Sequence, residues 1–251
     1  MLFLNPLEQF EVVPLLPLEV SNGYLDFTIT NFVIFLFFNF FLVVGVLGLA
    51  IFRSSLVPNR FQSVVEELYL FVIDTVKQQA GVNGAKFSIF FFNIFFFILL
   101  ANLLGLVPFC FTTTSHIIMV SFIALICNVS FVIIGFNVAG LNFLMHFVPS
   151  SAPKPLIPLI TVIEVASYLI RTLSLSLRLF ANMMAGHILL FILATFVAKM
   201  IYAGQFFLSF LPLLIMIGVF VLETGICFIQ AYVFLVLLSI YLNESLHVEA
   251  H

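Results

Sequence analysis

The sequence predicts an all-α integral membrane protein. It has about five membrane-embedded helices plus one amphipathic surface helix, and the last two helices are long and steeply tilted as a hairpin. Two observations set the class. First, 64% of the 251 residues are hydrophobic and only 8% are charged, whereas a soluble domain carries about a quarter charged residues. Second, apolar runs long enough to cross a hydrocarbon core of about 30 Å recur along the chain. So much apolar surface cannot be hidden in one soluble core and requires lipid as solvent. The net charge of -3 leaves no electrostatic footprint for nucleic acid.

The chain reads as a single membrane domain over residues 1–251. Residues 1–30 mix apolar and acidic side chains with Pro6, Pro14 and Pro17, as a loop or short surface segment does. This stretch has no Lys or Arg and no small-residue cleavage site, so neither a secretory signal nor a transit peptide is expected. Residues 31–52 form the first span. Residues 58–80 differ: Phe61, Val64, Val65, Leu68, Phe71, Val72 and Thr75 fall at helical spacing on one face, with Glu66, Glu67, Asp74 and Lys77 on the other. That pattern predicts an amphipathic helix at the membrane surface or against a partner, ended by Gly81 and Gly84.

Residues 86–138 predict a helical hairpin, with spans at 86–108 and 116–138 joined by the short Pro108–Ser115 connection. Pro149, Pro153, Pro155 and Pro158 bar a helix between Gly140 and Pro158. Residues 159–243 hold two runs of about 40 residues, each ~60 Å long as one helix and twice the thickness of the bilayer core. The second run has one proline, Pro212, near its start, and no strong breaker sits in the middle of either, so steep tilt, roughly 60° from the membrane normal, is expected rather than fragmentation.

Arg53, Arg60, Lys77, Lys86 and Lys154 fall after the first and third spans, while the N-terminal segment has Glu8, Glu11, Glu19 and Asp26. The positive-inside rule then puts the N-terminus outside and the C-terminus inside, with Lys199 as the one exception. Cys110, Cys127 and Cys227 match no metal or redox spacing and read as core packing. No cofactor is expected.

Charged residues inside membrane helices cost about 2.5–3.5 kcal/mol each on insertion scales and mark function by default. The last two runs contain Glu164, Arg171, Arg178, Glu223 and Glu244, with Asn182, His187 and Gln230. If they fold as a hairpin about Gly204, Arg178 lies level with Gln230, His187 with Glu223, and Glu164 with Glu244. His and Glu can relay protons once their surroundings tune them. Arg does not deprotonate in proteins, so Arg178 would bar direct flow between two proton paths and attract a partner's carboxylate. Arg171 reads equally as part of such a path and as a structural cation neutralising Glu164 or Glu223. Glu244 also reads as a solvated end charge. His187 lies nine residues beyond Arg178, on the opposite face of an ideal helix. The two therefore serve different neighbours: Arg178 a partner surface, His187 an access path behind it. His116 and His146 read as loop residues, and His247 and His251 as a polar tail.

At these positions the chain resembles a known family. The run Ser174-Leu-Ser-Leu-Arg178-Leu-Phe-Ala-Asn182-Met-Met-Ala-Gly-His187 is similar to the signature of ATP synthase subunit a. So are Gln230-Ala-Tyr-Val-Phe, Asn102-Leu-Leu-Gly-Leu-Val-Pro108 and Pro6-Leu-Glu-Gln-Phe-Glu. The resemblance implies that Arg178 faces a ring of c subunits, with Gln230 beside it. It implies that Asn182, His187 and Glu223 line one half-channel, and that Glu164 and Glu244 stand at the exit of the other. The implied partners are the c-ring, the peripheral stalk and other F0 subunits, and the lipid bilayer, with H+ as the translocated ion. The subunit would catalyse no bond in ATP. The order of His187 and Glu223 and the N-terminal motif look mitochondrial, which implies the mitochondrial inner membrane, with a bacterial plasma membrane as the alternative. A proton-coupled secondary transporter is the rival reading, but the chain shows neither the internal repeat nor the broken mid-membrane helices common in such folds. A haem or quinone protein would need facing histidines, and only His187 lies within a span.

Overall fold

The computed structural model describes residues 7–16, 28–52, 58–107, 110–140, 143 and 157–246. Arg53, Lys154, Pro149, Pro153, Pro155, His146, His247 and His251 lie outside the described residues, as do Pro6, Glu19 and Asp26.

The described chain is almost entirely helical. An N-terminal 3-10 turn, Glu8–Phe10, precedes a two-strand ribbon in which β1 (Pro14–Leu16) pairs antiparallel with β2 (Ile29–Thr30). Helix α1 (Asn31–Phe52) follows and matches the expected first span. Its start is capped: the Thr30 hydroxyl accepts from the Val33 amide at 3.4 Å, satisfying one of the free amides of a helix N-terminus. Then come α2 (Arg60–Gly84), α3 (Ser88–Leu106), α4 (Ile117–Ala139), α5 (Ile157–Tyr202) and α6 (Phe206–Leu246). Among the described residues, five runs are long and apolar enough to cross a membrane: Asn31–Phe52, Arg60–Leu106, Ile117–Val138, Leu159–Tyr202 and Phe206–Leu246.

The segment after α1 departs from expectation. A separate amphipathic helix over 58–80 does not stand apart from the span that follows. Helices α2 and α3 join into one nearly continuous run, interrupted by non-helical backbone at Gly81 (φ +69°) and a 3-10 turn at Ala85–Phe87. Gly81 provides the left-handed backbone that other residues adopt at a cost. The buried stripe of α2 is also displaced. It is Val72, Thr75, Val76, Ala80 and Gly84, while Phe61, Val64 and Phe71 are exposed. A Cβ at Gly84 would stand in ordinary contact, 3.7 Å, with the Leu242 side chain, so the face of α2 that carries the small residues Ala80 and Gly84 is the one that packs near Leu242.

Helix α5 begins at Ile157, so Pro158 sits inside its first turn rather than in a helix-free loop. Proline is tolerated there because the first-turn amides have no helical acceptor. The two long runs are 46 and 41 residues, and α6 carries Pro212 near its start. The turn between them is where the sequence puts it. Gly204 has φ +79°; its amide donates to the Ile201 carbonyl at 3.0 Å, and the Gln205 amide to the Met200 carbonyl at 3.1 Å. These two bonds form a Schellman cap, which needs a left-handed residue at the position of Gly204.

Contacts divide the chain into two compact units. The first comprises the described parts of Met1–Gly48, Phe97–His116 and Leu179–Gln230. Its core includes Leu179, Met183 and Cys227, and a polar pocket formed by Thr112, Thr113, Thr114 and Ser115. His116 follows this cluster and is packed rather than a freely solvated loop residue. Its ring stacks on Phe111 at 5.2 Å and meets Phe32 edge-on, and burial holds its pKa below the usual histidine value. The second unit comprises the described parts of Leu49–Phe96, Ile117–Arg178 and Ala231–His251. Phe91 stacks on Phe131 at 6.0 Å there, beside fully buried Val72, Val76, Leu238 and Leu242. Large apolar side chains are exposed along α1, α4, α5 and α6, as expected of helices solvated by lipid.

Candidate functional site

In the first unit the two arms of the last hairpin bring His187 and Glu223 together. The imidazole Nε2 lies 3.8 Å from a carboxylate oxygen of Glu223, within ion-pair range but too far for a hydrogen bond. Gly186 makes the approach possible: a Cβ there would stand 2.5 Å from that oxygen. Glu223 is buried, and neither of its oxygens has a hydrogen-bond partner among the described residues; the same is true of His187 Nε2. Buried polar atoms are nearly always satisfied, so three orphans at one point call for an explanation. Toward the interior, the Cys227 thiol contacts Met183 Sδ at 3.8 Å and donates to the Asn102 carbonyl at 3.9 Å. On the other side of His187 lies a cavity of about 400 Å³, bounded by Gln9, Val107, Cys110, Phe191 and Phe220. Asn182 is half-buried on α5, and Gln230 is buried on α6.

The second unit holds a different constellation. Arg171 Nη1 donates to both oxygens of Glu244 at 2.8 Å, and its guanidinium lies 5.7 Å from the centre of the Tyr241 ring. The expected partners of Arg171, Glu164 or Glu223, are therefore replaced by Glu244. Opposite charge and a long side chain decide this. Two carboxylates held level would repel, and Arg171 reaches along the hairpin to neutralise one of them. Glu164 is half-buried. A second cavity, about 280 Å³, is lined by Arg171, Ser174, Arg178, Leu237 and Tyr241. Arg178 is exposed and makes no hydrogen bond or ion pair among the described residues. The Tyr241 hydroxyl is buried without a partner.

The sequence reading did not single out one polar residue that the structure puts at the first site. Asn102 is fully buried, and both amide atoms of its side chain lack partners. The signal was available, since an asparagine in the middle of the apolar run of α3 is as costly as the residues that were noticed. No group of three or more His, Cys, Asp or Glu residues able to hold a metal occurs among the described residues.

Comparison with known proteins identifies the family. Residues 29–243 match the family model for the ATP synthase A chain. A relative from Hyphomonas neptunium, an ATP synthase subunit a, is 44% identical over 250 residues, covering 99% of this chain and 98% of its own. The subunit a of Rhizobium rhizogenes is 41% identical over 249 residues, covering 98% and 99%. That of Bartonella bacilliformis is 42% identical over 245 residues, covering 97% and 96%. These relatives are bacterial, which overturns the mitochondrial inner membrane expected from the sequence and favours a bacterial plasma membrane. The order of His187 and Glu223 and the N-terminal motif therefore do not mark a compartment. With residues 29–243 matched by the family model and relatives matched over nearly its whole length, the chain belongs to the ATP synthase A chain family.

Proposed function

We propose that this chain translocates protons through the F0 sector of an F-type ATP synthase by two offset half-channels that meet at Arg178. Membership of the family makes it a non-catalytic, proton-translocating subunit and leaves the transporter reading without support. Its partners are the c-ring and the stalk subunits of F0, and the ion is H+. A proton enters by His187 and Glu223, with Asn182 beside them, and neutralises a carboxyl group on the ring. The neutral group can face lipid cheaply, where a carboxylate cannot. After nearly a full turn it reaches the second path and releases its proton toward Glu164 and Glu244. Arg178 favours that release and blocks direct flow between the two paths, and Gln230 belongs to the same translocation machinery.

The observation that carries this reading is the state of Arg178. It is an exposed cation on an apolar helix with no counter-ion among the described residues. Such a group is costly unless a partner outside the chain supplies the opposite charge. The lengths of α5 and α6, ~69 and ~62 Å at 1.5 Å per residue, support a steep tilt in a core half as thick. The exposed charged residues Glu66, Glu67, Asp74 and Lys77 of α2 support a surface position for that helix.

The test is Arg178→Ala in the assembled synthase. Proton-driven ATP synthesis is expected to vanish while the c-ring and the ATPase head still co-purify with this subunit. Normal synthesis by the assembled variant would rule the mechanism out.

A further inference from the structure

The N-terminal segment is folded back onto His187, and nothing in the mechanism above uses it. The Phe10 ring meets the His187 ring edge-on, with centroids 6.3 Å apart. Gln9, the residue before it, lines the 400 Å³ cavity into which His187 faces. This contact is built. Asn31, at the start of α1, accepts from the Val13 amide at 3.2 Å through its side-chain oxygen and donates to the Glu11 carbonyl at 3.0 Å through its side-chain nitrogen. Its own amide donates to the Val13 carbonyl at 3.2 Å. One side chain thus clamps residues 11–13 to a membrane helix, and the ribbon continues the pairing at Pro14–Thr30 and Leu16–Ile29. The 3-10 turn of Glu8–Phe10 is closed by the Phe10 and Glu11 amides on the Leu7 and Glu8 carbonyls, at 3.1 and 3.2 Å. The clamp leaves Gln9 and Phe10 where they are.

We propose that this turn is part of the proton inlet: Phe10 is a positioning residue that holds the His187 imidazole toward Glu223, and Gln9 lines the wet cavity that supplies it. The inference rests on the reading of His187 and Glu223 as the point of proton entry. The His187 ring meets Phe10, approaches Glu223 through Nε2 and lines the cavity, and Nε2 itself makes no hydrogen bond among the described residues. Gln9 offers an amide that can donate and accept. It stands at a cavity whose remaining walls are mostly apolar, which makes it a natural partner for water or hydronium on the way in.

The experiment uses the assembled synthase in sealed vesicles. Cys110 lines the same cavity, so Cys110→Ser is introduced first and every comparison is made within that background. Gln9→Cys is then treated, on either face, with a membrane-impermeant thiosulfonate carrying a sulfonate. Labelling from one face only should cut proton-driven synthesis roughly tenfold, short of the ~100-fold cost of misplacing a reacting group by 1 Å. Leu15→Cys, exposed and not part of the cavity wall, should label without inhibition. Phe10→Ala should shift the dependence of synthesis on pH at that face, and Phe10→Tyr should restore it, as loss of mere stability would not. Absence of labelling at position 9, or full synthesis after labelling, overturns the inference. Glu223→Gln separates the two levels. Synthesis that persists in that variant sinks the inlet reading itself, whereas synthesis lost there but unaffected by labelled Gln9→Cys sinks only the role of the turn.

Discussion

The last hairpin carries two acid–base pairs, and they are finished differently. Arg171 and Glu244 close a contact at 2.8 Å to both carboxylate oxygens, about a third of each side chain still exposed. His187 and Glu223 stop at 3.8 Å, with three orphaned polar atoms and the carboxylate almost wholly buried. The first pair has Nη1 of Arg171 committed to both oxygens of Glu244. The second has no such commitment among the described residues. A group that hands on protons must find a new partner in every cycle. On the proposed mechanism the His187–Glu223 pair serves the inlet, and the Arg171–Glu244 contact holds Glu244 in place at the exit, with Arg171 and Arg178 lining one cavity.

If that contrast is right, the two pairs respond differently to damage. The largest effect is expected at the relay. Glu223→Ala should reduce proton-driven ATP synthesis on the order of 100-fold or more, the usual worth of a positioned acid–base group. Exchanging the two residues, His187→Glu with Glu223→His, keeps the same two functions facing each other and should restore a measurable part of the rate. A fully assembled exchange variant with no synthesis would break the claim that the pair works face to face.

The Arg171–Glu244 pair should be more forgiving. It is partly exposed, and such pairs contribute about 0–1 kcal/mol. Arg171→Gln is expected to slow synthesis about two- to fivefold, the rate equivalent of that energy. Arg171→Lys should recover part of the loss, because an ammonium supplies charge without the planar fork. If Arg171→Gln were as inactive as Arg178→Ala, Arg171 would belong to the path and the distinction between the pairs would fail.

Much of this arrangement was legible in the sequence, for identifiable reasons. Composition fixes the solvent, and uninterrupted apolar runs fix α1, α4 and the two long helices. Gly204, alone between two runs, marks the turn, and a turn position is enough to set His187 level with Glu223. The same arithmetic does not say which acid Arg171 pairs with, because equal distance from a turn locates backbones. Arginine reaches well beyond its own level, and charge then chooses among the neighbours it can touch. The stripe on α2 was misread for a related reason: periodicity finds an apolar face, but it does not say which face packs near another helix, here the one carrying Ala80 and Gly84. The fold-back of Phe10 onto His187 lay beyond any local pattern, since it depends on a clamp between Asn31 and residues 18 to 20 positions earlier.

The finest test of the comparison lies at Gly186. A methyl group there would meet Glu223 at 2.5 Å from Oε1 and 2.8 Å from Cδ. Both atoms are at the end of a flexible side chain, so the carboxylate swings aside before the helices part. Alanine is also favoured over glycine in a helix by about 1 kcal/mol. Gly186→Ala should therefore leave assembly and thermal stability unchanged or slightly raised, while synthesis falls severalfold because the carboxylate no longer faces His187. Gly218, on the same hairpin, has nothing within 4 Å of its would-be Cβ, so Gly218→Ala gains the helix term without touching the relay. Stability should rise in Gly218→Ala and not fall in Gly186→Ala, and synthesis should fall in Gly186→Ala alone. A stable Gly186→Ala enzyme with an unchanged rate would mean that the 3.8 Å approach is incidental, and that the proton reaches Glu223 without needing the imidazole beside it.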